Sequence, residues 1–250
     1  MAHSLSFNNI DLSAYGLVVN RISNPIDFQT STIQLPDISY AFNSKRPPKI
    51  IIVSCTVTGA DRSTVNGYLD SIRLVLNENQ SKKLALDSYS GRYWNARVLG
   101  LTDMYASTNV WQGDITFQCL DPFAYSTTQT QSTHSIDATP KTVSETPGGS
   151  AIILPVYRIT INEFAYTGLS IKNENTSEEL TFNDEVSSGE MLEIDCATWV
   201  VKLDGTESMD ISGQFPRLLP GQANPIKITG AWTTGKSANT LEIIYRDKYA

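Results

Sequence analysis

"WQGDITFQCLDPFAYSTTQTQSTHS", residues 111–135, contains the clearest strand in the chain and the point at which that strand must stop. In an extended conformation Trp111, Ile115, Phe117 and Cys119 fall on one side and Gln112, Asp114, Thr116 and Gln118 on the other. This is the period of two of a half-buried strand. Pro122 lacks an N–H for a ladder bond and pushes Asp121 toward an extended or turn conformation, so regular pairing is expected to finish at Leu120. Asp121 and Pro122 then form the turn that closes the first domain. From Ser126 to Ser135 no apolar residue occurs. This polar run, with Pro140, Pro147, Gly148 and Gly149 beyond it, reads as an exposed linker over residues 126–150.

Upstream of the quoted stretch the same alternation marks strands at 15–22, 49–58 ("KIIIVSCTVT"), 82–88 and 93–101. Between them Val65, Tyr68, Leu69, Ile72, Val75 and Leu76 repeat at helical spacing. Asp61 or Ser63 is available as N-cap, and Asn77 stands near the end. Downstream, short alternating runs recur at 157–161, 169–173, 179–183, 191–196, 199–203, 225–230 and 240–246. Turn residues such as Ser188-Gly189, Asp204-Gly205 and Pro220-Gly221 separate them, and no helical stretch intervenes, which is the pattern of an antiparallel sandwich. The chain therefore reads as mainly β. A β-rich domain with one helix, residues 1–135, precedes an antiparallel β-sandwich, residues 136–250.

A chain of 250 residues, 40% hydrophobic and 18% charged, is long enough to bury its own cores. The longest aliphatic run, Ile50 to Val53, is too short to cross a bilayer, so no membrane insertion is expected. Residues 1–20 lack a basic start followed by an apolar stretch, so no secretory signal is visible. Cys55, Cys119 and Cys196 stand far apart without C-x-x-C spacing. They read as buried hydrophobes in a reducing compartment rather than as disulfides or zinc ligands. Residues 1–135 carry ten basic and ten acidic side chains, and residues 136–250 carry nine and sixteen. The second half thus holds the acidic excess and repels phosphate backbones, and with no long basic run elsewhere no direct nucleic-acid recognition is expected.

Catalysis finds little support. The two histidines are His3, near the start, and His134, in the polar run, so no Ser/His/Asp or Cys/His arrangement forms. Glu190, Glu193 and Asp195, or Glu178, Glu179 and Asp184, are candidates for paired carboxylates. Glu193 and Asp195, however, alternate with Leu192, Ile194 and Cys196 as a solvated strand face does. "DGTESMD", residues 204–210, lacks the glycine and glutamate of a calcium loop and reads as a turn between strands. No catalytic residue, metal or cofactor is assigned.

Several stretches together resemble the distal tail proteins of long-tailed, non-contractile phages. They are "LSFNNIDLSAYGLVV" (5–19), "KKLALDSYSGRYWNARV" (82–98), "DITFQCLDPFAYS" (114–126), "LTFNDEVSSGEMLEIDCATWVVKLDG" (180–205) and "GQFPRLLPGQANPIKITG" (213–230). Their order and spacing span the chain. Two departures bear on loops: "LPDISYAFN" (35–43) stands where the family carries Pro-Gly-Arg-Asp-Gly, and Gln222-Ala223 lengthens the turn before Asn224. The resemblance implies that the first domain forms a hexameric ring at the phage tail tip and that the second is a galectin-like sandwich outside it. It implies a structural role in the virion, joining the tail tube protein to hub or receptor-binding proteins of the host-adsorption apparatus, after assembly in the bacterial host cytoplasm. The alternative is a carbohydrate-binding module contacting the bacterial cell surface. Trp232, in the polar turn-rich "GAWTTGKSANT" (230–240), is its candidate sugar contact.

Overall fold

A computed structural model of the chain describes residues 4–23, 32–35, 38–41, 48–162, 165–232 and 239–250. They form two compact units, Met1–Tyr125 and Ser126–Ala250. The division falls ten residues ahead of the 135/136 boundary read from the sequence.

In the first unit the quoted strand, Val110–Cys119, is central. It pairs along its whole length with Lys49–Thr58, from Lys49 opposite Cys119 to Thr58 opposite Val110. Its other edge carries the long strand Arg92–Ser107. The antiparallel order runs 10–11, 5–7, 82–86, 92–107, 110–119, 49–58, 17–23. Alternation sorts the faces as expected: Trp111, Ile115, Phe117, Cys119, Ile51, Val53, Cys55 and Val57 are all buried. Gly113 has no room for a side chain, because a Cβ there would lie 2.1 Å from the Thr102 carbonyl oxygen and 2.4 Å from the Trp111 ring.

The helix Arg62–Leu76 covers this apolar face with Val65, Leu69, Ile72 and Leu76. Its N-cap is Asp61, whose carboxylate accepts from Thr64 N at 2.8 Å, and its C-cap is Asn77. The strand expected from Tyr15 starts instead at Leu17, because Leu12–Tyr15 closes a 3-10 turn ended by Gly16 in the left-handed region. A Cβ at Gly16 would meet the Thr58 carbonyl at 2.7 Å.

The second unit is a sandwich of two antiparallel sheets. One has strands in the order 130–136, 239–245, 156–160, 191–195, 200–203, 206–208, and the other 141–145, 224–232, 166–173, 178–186, 211–213. Their inward side chains share one core, including Tyr157, Tyr166, Phe182, Ile194, Ile228 and Ile243. The Asp204-Gly205 hairpin has positive φ at both turn residues, as a tight right-twisting hairpin requires. It is a strand-to-strand turn, as the spacing of residues 204–210 suggests.

The polar run read as a linker is not one. Thr130–Ile136 pairs with Asn239–Tyr245, and Lys141–Glu145 pairs with Asn224–Ile228, so residues 126–150 contribute the first edge strand of each sheet. Ladder bonds come from the backbone, and Thr, Ser and Gln satisfy them as well as Val does where one side of an edge strand faces water. No helix of the described residues is long and apolar enough to cross a membrane.

Candidate functional site

The turn that closes the first unit is built around Asp121. Pairing ends at Cys119, one residue before the expected Leu120, and Leu120 is exposed. The Asp121 carboxylate then accepts from Phe123 N at 3.3 Å and from the Tyr125 hydroxyl. Pro122 sits inside this Asx-type turn, where its missing N–H costs nothing. Burial and the Asp121 hydrogen bond push the Tyr125 phenol well above its usual range, so it stays neutral and keeps donating. Asp121 and Pro122 thus hold the end of the sheet, and their chemistry is structural.

His134 does not lie in a loop. It stands on the 130–136 edge strand, and its Nε2 is 2.8 Å from Glu145 Oε1 on the edge strand of the opposite sheet. The same oxygen accepts from Ser132 Oγ, and Tyr245 donates to Glu145 Oε2 at 3.2 Å. Ser132 and His134 both address the carboxylate. The cluster ties the two sheets together where their edges would otherwise open. Burial, then the Glu145 charge, raise the Tyr245 phenol to about 12. A raised phenol contributes stability that is complete below its unfolded value near 10 and is lost as pH climbs toward 12. Removing the shared acceptor leaves three polar groups without their partner. Glu145→Ala is therefore expected to lower unfolding stability by about 1–3 kcal/mol. Denaturant unfolding checks this, and an unchanged midpoint contradicts it.

The carboxylates considered for glycoside chemistry are individually engaged. Glu193 pairs with Arg158 at 2.7 Å, Glu178 with Arg217 at 2.7 Å and Glu179 with Lys172 at 3.7 Å. Glu190 accepts from Ser187 N, and Asp195 accepts from Ala197 N and Thr198 N. Among the described residues no group of His, Cys, Asp and Glu side chains is placed to hold a metal. Cys55, Cys119 and Cys196 are buried and unbridged. Burial pushes the Cys55 thiol up to about 12, with Asp114 adding to it. Burial raises Cys119 to about 12 against the opposing charge of Lys49. Both stay protonated and unreactive at neutral pH.

The sugar candidate Trp232 closes the strand Asn224–Trp232 opposite Tyr166, and its side chain lies outside the described residues. A different tryptophan is presented to solvent. Trp199, expected to begin a strand, occupies the turn before Val200–Leu203 with φ at 62° and is 73% exposed. A bulky residue rarely adopts that conformation, and no alternation pattern announces it.

A helix-covered antiparallel sheet followed by a two-sheet sandwich is an architecture found among solved phage tail proteins. The chain superposes over 100% of its length on 100% of the SPP1 Dit (gp 19.1) protein, with a TM-score of 0.78 and 12% identity. That protein is described as a paradigm of the hub adsorption apparatus in Gram-positive-infecting phages. A chain of the phage P2 baseplate in its activated conformation with Ca aligns over 99% of this chain and 98% of its own, with a TM-score of 0.50 and 10% identity. Residues 148–249 match the family model of the siphovirus-type tail component, C-terminal domain. The match covers most of the second unit, and the resemblance to distal tail proteins read from the sequence is borne out. No curated protein matches the chain.

Proposed function

We propose that this chain is a structural component of a phage tail tip, a distal tail protein whose first unit closes into a hexameric ring between the tail tube and the host-adsorption apparatus. The observation that carries this reading is the end-to-end superposition on the SPP1 Dit fold, joined to the family match over residues 148–249. The surfaces support it physically. The first unit's sheet is open at both ends of its strand order: among the described residues Leu17–Ser23 pairs only with Lys49–Thr58. Open edges and a balanced charge let identical neighbours meet without repulsion. The acidic second unit is the galectin-like sandwich of this reading. Tube protein on one side and hub or receptor-binding proteins on the other are the partners of this reading, which needs no catalytic step. It puts the chain in the virion after assembly in the host cytoplasm.

The carbohydrate-binding alternative rests on Trp232, whose side chain lies outside the described residues. Separately expressed halves test the reading, with the cut at 125/126 so that the sandwich keeps its 130–136 strand. Light scattering is expected to show residues 126–250 as a monomer. The whole chain is expected to form hexamers at high concentration or with its tail partners, since ring closure depends on concentration. Ring formation by residues 126–250 alone contradicts it.

A further inference from the structure

Among the described residues the second unit exposes four large hydrophobic side chains, Ile152, Leu154, Trp199 and Met209, and the topology puts all four at one end of the sandwich. Val156 starts its strand opposite Asp195, where the neighbouring strand ends, so the approach carrying Ile152 and Leu154 adjoins the turn carrying Trp199. Cys196 N donates to the Pro155 carbonyl at 3.0 Å and fastens the two segments. Pairing of Val201 with Ser208 places Met209 beside Val200, at the same end. Trp199 and Met209 are the most exposed of the set, at 73% and 88%.

We propose that this end of the sandwich is a docking surface for another tail protein, through a segment that carries arginine or lysine beside apolar side chains. The proposal rests on the tail-tip reading above. Trp199 is held in place, because its N–H donates to the Asp195 carbonyl at 2.9 Å and the Asp195 carboxylate accepts from Ala197 N and Thr198 N. A ring presented on a fixed turn loses little freedom when it is covered. Tryptophan and methionine are also the side chains favoured at the buried centres of interfaces.

Charge selects the occupant. Asp195, Glu207 and Asp210 flank the two side chains, and no ion pair is described for any of them. Lys202 stands opposite Glu207 in register without forming one. A second copy of this surface would bring acid against acid, and a polyanionic wall polymer would be repelled. Arginine meets both needs, since it pairs with carboxylates and stacks on the tryptophan face. A neutral sugar fits less well: Ile152, Leu154 and Met209 offer no hydrogen bonds, and Asp195 is already engaged in the turn.

Oxidative footprinting of the free chain and of intact tails tests this. Hydrogen peroxide reports on Met209, hydroxyl radicals on Trp199, and half-buried Met191 serves as the internal reference. In tails Met209 and Trp199 are expected to oxidise roughly tenfold more slowly than in the free chain, as at the closed centre of an interface. The folded double variant Glu207→Lys/Asp210→Lys is expected to lose that protection. If the chain is in tails but Met209 oxidises as fast as in the free chain, the docking surface is refuted while the tail-tip reading stands. A chain absent from tails removes both. Unchanged protection in the charge-reversed variant overturns the basic partner. Protection in the concentrated free chain assigns the surface to a second copy, and a Trp199 fluorescence shift with neutral wall oligosaccharides assigns it to sugar; either result overturns the proposal.

Discussion

Trp111→Ala is expected to destabilise the first unit by about 3–5 kcal/mol, the cost of emptying a core site of an aromatic side chain. Trp111 is 1% exposed and is among the largest fully buried side chains of the chain. It stands on the strand paired on both sides, and its ring occupies the space a Cβ would need at Gly113. Its neighbours cannot easily collapse into the vacancy, since the ladders from Val110 to Cys119 fix the backbone on either side. A loss of this size is a large share of the roughly 5–15 kcal/mol that holds a domain folded. Hydrogen exchange at the amides of 49–58 and 110–119 reads it directly. Those amides are expected to lose protection by two to three orders of magnitude, at about 1.4 kcal/mol per tenfold. A loss below about 1 kcal/mol contradicts the placement of Trp111 at the centre of that core.

The strands of the first unit were legible where one face is apolar and the other polar. Ile51, Val53, Cys55 and Val57 alternate without interruption, and the observed strand has the expected ends. The helix was legible for the same reason, with Asp61 supplying a cap of the expected kind. The edge strands 130–136 and 141–145 were not. Hydrophobic alternation detects burial, and most of what these strands turn inward is polar: Glu145 is 7% exposed and satisfied by Ser132, His134 and Tyr245. Only Ile136 and Val143 carry an apolar signal there. Trp199 was misread because an aromatic before two valines resembles the start of a strand, whereas Asp195, four residues earlier, makes the turn that lifts it out. The fold class, resting on many alternating runs, survived both misreadings.

Assembly is where the second large effect lies, because a ring component that cannot close should leave no functional tail tip. The contacts that close the proposed ring are expected along the open sheet edges of the first unit. Cryo-electron microscopy of virion tails is the most direct measurement of this. The account predicts sixfold-symmetric density at the distal end of the tube into which the helix-covered sheet of the first unit fits. Density for this chain away from the tip, or a ring closed by residues 126–250, contradicts the account.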